Sequence, residues 1–389
     1  MRVVSVAHAY PRWDGDVAGA FIERLCIALH DRSHSTVVVV PSDEGEGGTV
    51  LRNKLKVRRV RYAPASRETL AYRGHMADAG KSMLGLLPVA SMIAAQAGAV
   101  FEEVRTSNAD LVHAHWWIPG GVSAWLACLA AHRRFVVTLH GTDVAILKRS
   151  EPARRLARLV LRKASAVTAV SSYLAKEAAY VSGLNPDDIV VQPMPLDIDR
   201  YSRQSRGGGG VVTVGRLVQQ KNISVLLEAI ATLRKQGRTV GLKIVGDGPE
   251  RRSLEYRATQ LGITDLTQFI GEVSPEIIPD AIGDADVFAF PAMDEGLGLA
   301  AAEAFMLGVP VVAASQGGGV VDIVPPNGAG RLVDATDARQ MARAIEELLG
   351  DPESKHLAAE KGDRLKEQLN PAAVAAVFED VYKRALADE

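Results

Sequence analysis

Short apolar runs rich in β-branched residues alternate along the chain with longer segments of helical periodicity. In the first half the short runs cover residues 3–6, 36–40, 111–113, 135–139, 166–170 and 189–191. In the second half they cover residues 211–214, 242–245, 267–270, 286–290 and 309–313. Strands that alternate with helices form parallel sheets covered by helices. The pattern therefore predicts an α/β architecture along the whole chain.

The alternation stops between residues 192 and 206, where prolines and charged residues replace the periodicity and four glycines follow. A chain of 389 residues that is 47% hydrophobic also exceeds what one core usually organises. We predict an N-terminal domain over 1–195, a linker over 196–206 and a second domain over 207–368. Residues 369–389 are expected to form a C-terminal helix, opened by Asn370 and Pro371, that packs back on the first domain.

The composition indicates where the protein is found and which partners are disfavoured. The two cysteines, Cys26 and Cys128, stand among apolar residues, which favours buried reduced thiols and a cytoplasmic protein. The first residues do not read as a targeting segment, and the apolar stretch 86–101 is short for a membrane span and predicts a buried helix. A net charge of −1 argues against nucleic acid as the main partner.

The densest group of polar residues follows the predicted strand at 286–290. A glycine loop with Glu295, Gly296 and Gly298 leads into an apolar helix that carries Glu303. Free amides at a helix N-terminus favour phosphate, and eight helical residues would separate the carboxylates by on the order of 10 Å. Taken alone, however, Glu303 could be a solvated helix residue and Glu295 a capping carboxylate.

A cationic loop follows the predicted strand at 211–214. Arg216 and Lys221 stand there, where a doubly wound sheet usually binds its ligand, and two cations suit a diphosphate. As isolated surface charges they would more often be solvated. After the first strand, Gly15 and Gly19 lie in a loop without the Gly-x-Gly-x-x-Gly pattern, so no NAD site is predicted.

Three histidines and an aspartate follow two strands of the first domain. His140 and Asp143 come just after the strand at 135–139, where His140 is a candidate cleft residue and Asp143 could simply cap the next helix. His113 and His115 share a strand face, but no third ligand stands nearby for a metal, and we favour an acceptor-side role for His115.

These segments together resemble family 4 of the retaining glycosyltransferases, with the strongest similarity over residues 214–310. The resemblance implies the GT-B fold, with two Rossmann-like doubly wound domains facing each other across a cleft. It also implies transfer of a hexose from a nucleotide diphosphate sugar to a hydroxyl acceptor, with retention of configuration and without a metal. Leu297, where an aromatic residue is commoner, and Pro195, where glycine is usual, depart from the family pattern.

The resemblance also implies roles for single residues. His140 and Glu295 would contact the transferred sugar, Glu303 the ribose, and Arg216 and Lys221 the diphosphate. The expected binding set is completed by loop and helix-start positions: Gly19, Gly246, Gly271, Val273, Gly296, Leu297, Gly298 and Leu299. The His-Gly-Thr-Asp segment at 140–143 is similar to that of bacterial N-acetylglucosaminyl malate synthases, which favours a UDP-sugar carrying glucose or N-acetylglucosamine. The acceptor is not identified by any of these residues.

Two other classes of protein compete with this interpretation. A non-catalytic sugar-nucleotide-binding protein could share the fold, since fold does not fix function. An oxidoreductase is disfavoured because the dinucleotide fingerprint is missing.

The first half of the chain is basic. Residues 1–200 hold 25 Lys and Arg against 19 Asp and Glu, and the remainder holds 20 against 27. The basic positions cluster at Arg52, Lys54, Lys56, Arg58, Arg59, Arg61, Arg154, Arg155, Arg158, Arg162 and Lys163. Such a cluster can be a solvated helix face and an exposed strand, or it can bind an anionic acceptor or, peripherally, an anionic membrane at its inner face.

We expect sugar transfer to persist in excess EDTA, because Arg216 and Lys221 would neutralise the diphosphate and no ligand cluster for a divalent ion is visible. Transfer rates with and without chelator test this. Asp284 and Asp286 spell an Asp-x-Asp motif, which we interpret as a connection into the next strand. Complete loss of activity on chelation, restored by magnesium or manganese, would show that interpretation to be wrong.

Overall fold

The strands form two separate sheets, each in its own compact unit. The computed structural model describes residues 1–72, 83–201 and 207–387. Unit 1 comprises Met1–Leu196 together with Asn370–Glu389, and unit 2 comprises Asp197–Leu369. Residues 202–206 of the predicted linker lie outside the described residues. No described helix is both long enough and apolar enough to cross a membrane.

Unit 1 contains an eight-stranded sheet in the order β3-β4-β2-β1-β5-β6-β7-β8. The strands are β1 (Arg2–Val6), β2 (Ser35–Pro41), β3 (Gly48–Arg52), β4 (Leu55–Val60), β5 (Leu111–His115), β6 (Arg134–Leu139), β7 (Ala166–Ala169) and β8 (Ile189–Val191). All neighbours pair in parallel except β3 and β4. Since β1 is followed by β2 on one side and flanked by β5 on the other, the switch point of the sheet lies between β1 and β5.

The helices of unit 1 are α1 (Ala20–Asp31), α2 (Met83–Ser107), α3 (Val122–Ala131), α4 (Thr142–Leu147), α5 (Glu151–Lys163) and α6 (Ser172–Ser182). Local sequence fixes several of their ends. Ser150 and Ser171 accept backbone hydrogen bonds as N-caps of α5 and α6, and Gly183 ends α6 at a φ of 71°. The apolar stretch predicted as a buried helix lies within α2, which is longer than predicted.

Unit 2 contains a six-stranded parallel sheet in the order β11-β10-β9-β12-β13-β14. Its strands are β9 (Val211–Val214), β10 (Leu242–Val245), β11 (Thr267–Gly271), β12 (Val287–Phe290), β13 (Val311–Ala314) and β14 (Gly330–Val333). Its helices are α7 (Ile223–Lys235), α8 (Arg251–Gln260), α9 (Ile278–Gly283), α10 (Leu299–Met306), α11 (Ala338–Gly350) and α12 (Pro352–Leu369). The switch point here lies between β9 and β12.

The last helix, α13 (Pro371–Ala387), packs on α1, β6 and β7 of unit 1. Its stripe of Val374, Phe378 and Tyr382 is fully buried. At the rim, Arg32 binds Glu379 at 2.6 Å, and Arg134 donates to the carbonyl of Ala385 at 2.8 Å. Burial of one apolar face thus joins the end of the chain to its beginning.

Three strands lie outside the periodic apolar pattern that predicted the others. In β4 the basic residues Lys56, Arg58 and Arg59 interrupt the apolar pattern, and β3 is an exposed edge strand that pairs only with β4. The third, β14, has only four residues and begins with glycine. Pairing with a neighbouring strand, rather than local hydrophobicity, determines these elements.

Helix α12 packs closely on α10 at Gly362, and a substitution there tests this contact. A Cβ at Gly362 would lie 2.0 Å from the carbonyl oxygen of Phe305, so Gly362→Ala must push the helices apart. We expect it to lower the free energy of unfolding by about 1–3 kcal/mol in urea titrations. Gly350→Ala, where a Cβ would meet open space, is the control and should be neutral or slightly stabilising. Equal stability of the two variants would contradict the packing described.

Candidate functional site

The loop after β9 is anchored to its neighbours by Asn222. The loop contains Arg216 and a short 3-10 turn at Gln219–Lys221, and Asn222 follows in the left-handed conformation at a φ of 52°. The Asn222 amide donates to the carbonyls of Pro291 and Ala335, which lie beyond β12 and β14. The loop is therefore tied across the switch point of the unit 2 sheet.

Lys221 and Glu295 meet at this switch point. Lys221 Nζ lies 2.7 Å from Glu295 Oε1, each side chain is 21% exposed, and the ammonium group lies over the ring of Phe290. The two residues come from loops 74 positions apart in sequence and were predicted to serve one ligand. Their pairing places a cation and a carboxylate side by side at the edge where parallel sheets bind ligands.

Arg216 is exposed in the same loop. Within residues 1–72, 83–201 and 207–387, its guanidinium has no hydrogen-bond or ion-pair partner. A guanidinium offers five donors in a planar fork that suits phosphate oxygens. The loop after β9 thus contains one unpaired cation, Arg216, and one paired cation, Lys221.

The loop that carries Glu295 is held by the three glycines that follow β13. Glu295 donates its N–H to Gly317 at 3.1 Å, and its carbonyl accepts from Gly319 at 2.8 Å. Gly318 has a φ of 72°, and a Cβ there would lie 2.3 Å from the carbonyl oxygen of Glu295. These glycines were not predicted as site residues, although three in succession after a strand are a detectable signal.

Helix α10 begins at the glycine loop and carries Glu303 on its second turn. Gly298 is its N-cap at a φ of 84°, Leu297 is buried, and Leu299 is 38% exposed. The Tyr201 hydroxyl donates to Glu303 Oε1 at 2.8 Å. The start of α10 therefore has no capping side chain. The carboxylate of Glu303 is held by Tyr201, a residue that the sequence did not indicate.

The loops after β9, β10 and β11 touch through their backbones. Gly246 donates to Gly271 at 2.8 Å, and a Cβ at Gly246 would lie 2.1 Å from the carbonyl of Gly215. Partly buried Val273 lies two residues beyond β11. The predicted binding residues Gly246 and Gly271 thus touch at the carboxyl edge of the sheet, and Val273 follows shortly after. The close approach is possible because Gly246 has no side chain.

Asp284 and Asp286 belong to a structural connection. Asp286 accepts from the amides of Gly208 and Gly210 and pairs with Lys355 at 2.9 Å, and Asp284 is the C-cap of α9. Among the described residues no group of three or more His, Cys, Asp or Glu side chains is placed to hold a metal ion.

In unit 1, His140 lies at the end of β6 within a group of rings. Its ring centroid is 4.5 Å from that of Trp116 and 5.1 Å from that of Phe21, and the ring of His8 lies 4.0 Å from that of Trp116 at a tilt of 58°. Gly19 caps α1 at a φ of 68°, and a Cβ there would lie 2.3 Å from the carbonyl of Ala9. His140 and Gly19, the two residues of this unit predicted to bind the donor, follow β6 and β1 in the chain.

His113 and His115 are fully buried behind this ring group. His113 lies between Thr138 at 2.7 Å and Tyr382 at 2.8 Å, and burial lowers its pKa to about 3. His115 has no exposed surface and bonds His140 at 3.2 Å. The expectation of a direct acceptor-side role for His115 is therefore not supported, because the side chain reaches the strand ends only through His140.

Asp143 organises the loop after β6 and does not act as the N-cap of α4. Its carboxylate accepts the backbone N–H groups of His140, Gly141 and Trp117, and the residue is buried. Burial raises the pKa of this carboxyl group. Asp143 thus joins the backbone that follows β5, at Trp117, to the backbone of His140 and Gly141.

Most of the clustered basic residues are paired within unit 1. Arg52 binds Glu23 at 2.6 Å, and Lys56 binds Glu103 at 2.7 Å. On α5, Arg158 and Arg162 donate to the last carbonyls of α6, at Val181 and Ser182. The remaining pairs include Arg58 with Glu103, Arg59 with Tyr72 and Pro11, Arg61 with Glu68, and Arg154 with Leu147. The basic excess is thus largely structural.

Two family models together match nearly the whole chain. The model described as Glycosyltransferase Family 4 matches residues 18–200, and that described as Glycosyl transferases group 1 matches residues 204–365.

Curated proteins with related sequences are glycosyltransferases. The chain is 32% identical over 305 residues to a D-inositol 3-phosphate glycosyltransferase of Geodermatophilus obscurus, covering 69% of this chain and 67% of that protein. It is 33% identical over 247 residues to a GDP-mannose-dependent alpha-(1-6)-phosphatidylinositol monomannoside mannosyltransferase of Mycolicibacterium smegmatis. That similarity covers 58% of this chain and 64% of the mannosyltransferase, so the chain spans just under two thirds of that relative.

A solved structure shares the fold over almost the full length. The Anabaena protein HepE in complex with UDP matches with a TM-score of 0.73 at 20% identity, covering 98% of this chain and 100% of that one. At this identity the likeness concerns the fold alone, and it confirms the predicted GT-B fold class.

The buried imidazoles of unit 1 predict a stability that depends on pH. Burial lowers the pKa of His8 to about 4 and that of His113 to about 3, whereas both groups titrate near 6.5 when unfolded. Folding therefore favours the neutral rings, and the stabilisation is complete above about pH 6.5 and lost as pH falls below it. We expect each such ring to lower the free energy of unfolding by up to about 1.4 kcal/mol per pH unit in this range.

Urea unfolding of the wild type and His8→Gln between pH 7.5 and 4.5 measures this slope. The variant should show the shallower dependence, while His132→Gln, at an exposed position, should match the wild type. Identical slopes for the wild type and His8→Gln would contradict the prediction.

Proposed function

The chain belongs to glycosyltransferase family 4, and from that membership we propose that it moves a hexose from a nucleotide diphosphate sugar to a hydroxyl acceptor, with retention and without a metal ion. The observation that carries the proposal is the Lys221–Glu295 ion pair at the switch point between β9 and β12, with the unpaired Arg216 in the same loop as Lys221. Cations at that edge, next to a helix N-terminus, suit a diphosphate.

The proposed donor site lies on the strand-end loops of unit 2. Arg216, Lys221 and the amides of residues 296–299 take the diphosphate, and Glu303 takes the ribose hydroxyls. The backbone at Gly246, Gly271 and Val273 meets the nucleobase. On unit 1 we assign His140 to the transferred sugar and Gly19 to the phosphates, as in the family that the sequence resembles.

The Lys221–Glu295 ion pair supports a specific order of events. An arriving diphosphate competes with Glu295 for the ammonium group, because phosphate oxygens are strong acceptors for a lysine. Glu295 is then released from its ion pair with Lys221 and can accept hydrogen bonds from sugar hydroxyls. The ion pair thus holds Lys221 ready to bind the phosphate and Glu295 ready to bind the sugar.

The proposed reaction is a substitution on one face of the sugar. The departing phosphate oxygen accepts the proton of the acceptor hydroxyl, while Arg216, Lys221 and the amides at the start of α10 stabilise its growing negative charge. Fixed donors of this kind are each worth about 2.7–4 kcal/mol of barrier in other enzymes. No side chain acts as a nucleophile in this scheme.

We favour UDP as the nucleotide, and glucose or N-acetylglucosamine as the sugar, from the similarity of the segment around His140. The M. smegmatis relative is named as GDP-mannose-dependent, so the donor is a point on which relatives can differ. Backbone contacts at Gly246 and Gly271 would meet either base. Release of nucleotide from UDP-, GDP- and ADP-sugars, measured with purified protein, identifies the donor and excludes a non-catalytic binding protein if release occurs.

The internal ion pairs of unit 1 bear on the proposed anionic partners. An anionic acceptor or membrane surface must be met by cations that remain unpaired, and most of the clustered residues already bind carboxylates or carbonyls. We therefore propose that any peripheral membrane contact contributes little to the reaction.

We expect Arg216→Ala and Glu303→Ala each to lower kcat/KM for transfer by about 10²-fold or more, because the diphosphate and the ribose lose a charged ligand. Steady-state kinetics with the best donor of the panel provides the measurement. Arg252→Ala, which removes an exposed arginine of the same unit, is the matched control and should behave like the wild type. Near wild-type turnover in both site variants would overturn the assignment.

A further inference from the structure

We infer that His115 is a positioning residue for His140: its Nδ1–H donates to Nε2 of His140 and holds His140 as the tautomer that carries its proton on Nδ1. The inference rests on the proposed function for the role of His140, but the hydrogen bond itself does not. It adds to the site a residue that never touches the substrate.

The two imidazoles form a directed pair. His115 Nδ1 lies 3.2 Å from His140 Nε2, so one nitrogen must donate and the other accept. Burial lowers the pKa of both rings well below 6.5, so both are neutral at physiological pH. Each ring therefore carries one proton, and the bond between them selects which nitrogen has it.

The environment of His115 Nε2 decides which of the two rings donates the hydrogen bond. This nitrogen is buried and, among the described residues, has no hydrogen-bond partner. If His115 accepted from His140, its single proton would sit on Nε2 as an unpaired buried N–H, the kind of group that folded proteins rarely tolerate. If His115 donates through Nδ1, Nε2 keeps only a lone pair. The second arrangement costs less and leaves the proton of His140 on Nδ1.

The surrounding packing keeps the donor in place. The ring of His115 packs against that of His113 at 4.2 Å between centroids, and His113 is fixed by hydrogen bonds to Thr138 and to Tyr382 of α13. The ring of His140 lies against Trp116. Both members of the pair are thus confined by neighbours on two strands and one helix, so the tautomer is set by the fold before any ligand arrives.

A fixed N–H at Nδ1 gives His140 a defined chemistry. A neutral ring with its other nitrogen engaged can only donate at Nδ1, which suits an oxygen lone pair of a sugar hydroxyl or of a phosphate. Without His115, the ring could exchange between tautomers and would present a donor for only part of the time.

The test combines tautomer detection with two variants. In full-length protein labelled with ¹⁵N-histidine, we expect His140, assigned by its loss in His140→Ala, to be protonated on Nδ1. In His115→Leu it should become a mixture of tautomers. His115→Asn keeps a donor at the position of Nδ1 and should restore the wild-type signal. His140 protonated on Nε2 in the wild type, or unchanged in His115→Leu, would overturn the inference.

Kinetics separates this inference from the proposed function. His115→Leu should lower kcat about tenfold, as expected for one hydrogen bond, with little change in donor KM, and His115→Asn should recover most of the loss. Thermal melting of the two variants shows that both are folded under the assay conditions. Loss of kcat in His115→Asn equal to that in His115→Leu contradicts the positioning role. Normal transfer by His140→Ala would instead show that the proposed function of His140 is wrong, whatever the tautomer.

Discussion

The carboxyl edge of the unit 2 sheet depends on direct contact between backbones. At Gly246 and Gly318 a Cβ would lie 2.1 and 2.3 Å from the carbonyl of a neighbouring loop, closer than any side chain can approach. Because no side chains separate these loops, the ends of β9, β10 and β12 converge. That convergence brings Lys221 within 2.7 Å of Glu295. The chemistry of the edge is therefore a consequence of how closely the loops pack.

The strand ends of unit 1 carry histidine rings instead of an ion pair. Four imidazoles lie near β1, β5 and β6, and burial keeps those of His8 and His113 neutral at physiological pH. Neutral rings cannot act through charge, so what they offer is the direction of their hydrogen bonds. Tyr382 of α13 is hydrogen-bonded to His113, so the last helix of the chain supports a histidine of β5.

Charge has separate roles in the two units. The clustered cations of unit 1 bind carboxylates and helix-end carbonyls, and so stabilise an edge hairpin and the packing of α5 on α6. In unit 2 the unpaired Arg216 lies in the same loop as Lys221, which pairs with Glu295. The net charges along the sequence suggest instead that unit 1 supplies the cations for an anionic ligand. A count of charges cannot distinguish a paired cation from an available one.

The sequence by itself determined the α/β class, most of the strands and the family, because hydrophobic periodicity and motifs such as those around Arg216 and Glu295 are local. The periodic pattern did not include β3, β4 or β14, whose residues become strands through pairing with neighbours. Nor did it reveal Tyr201 or the burial of His115, since Tyr201 is 102 residues from Glu303 and His115 is 25 from His140. Such contacts exist only after the chain has folded, and only the tertiary structure decides which side chain faces a ligand and which supports its neighbour.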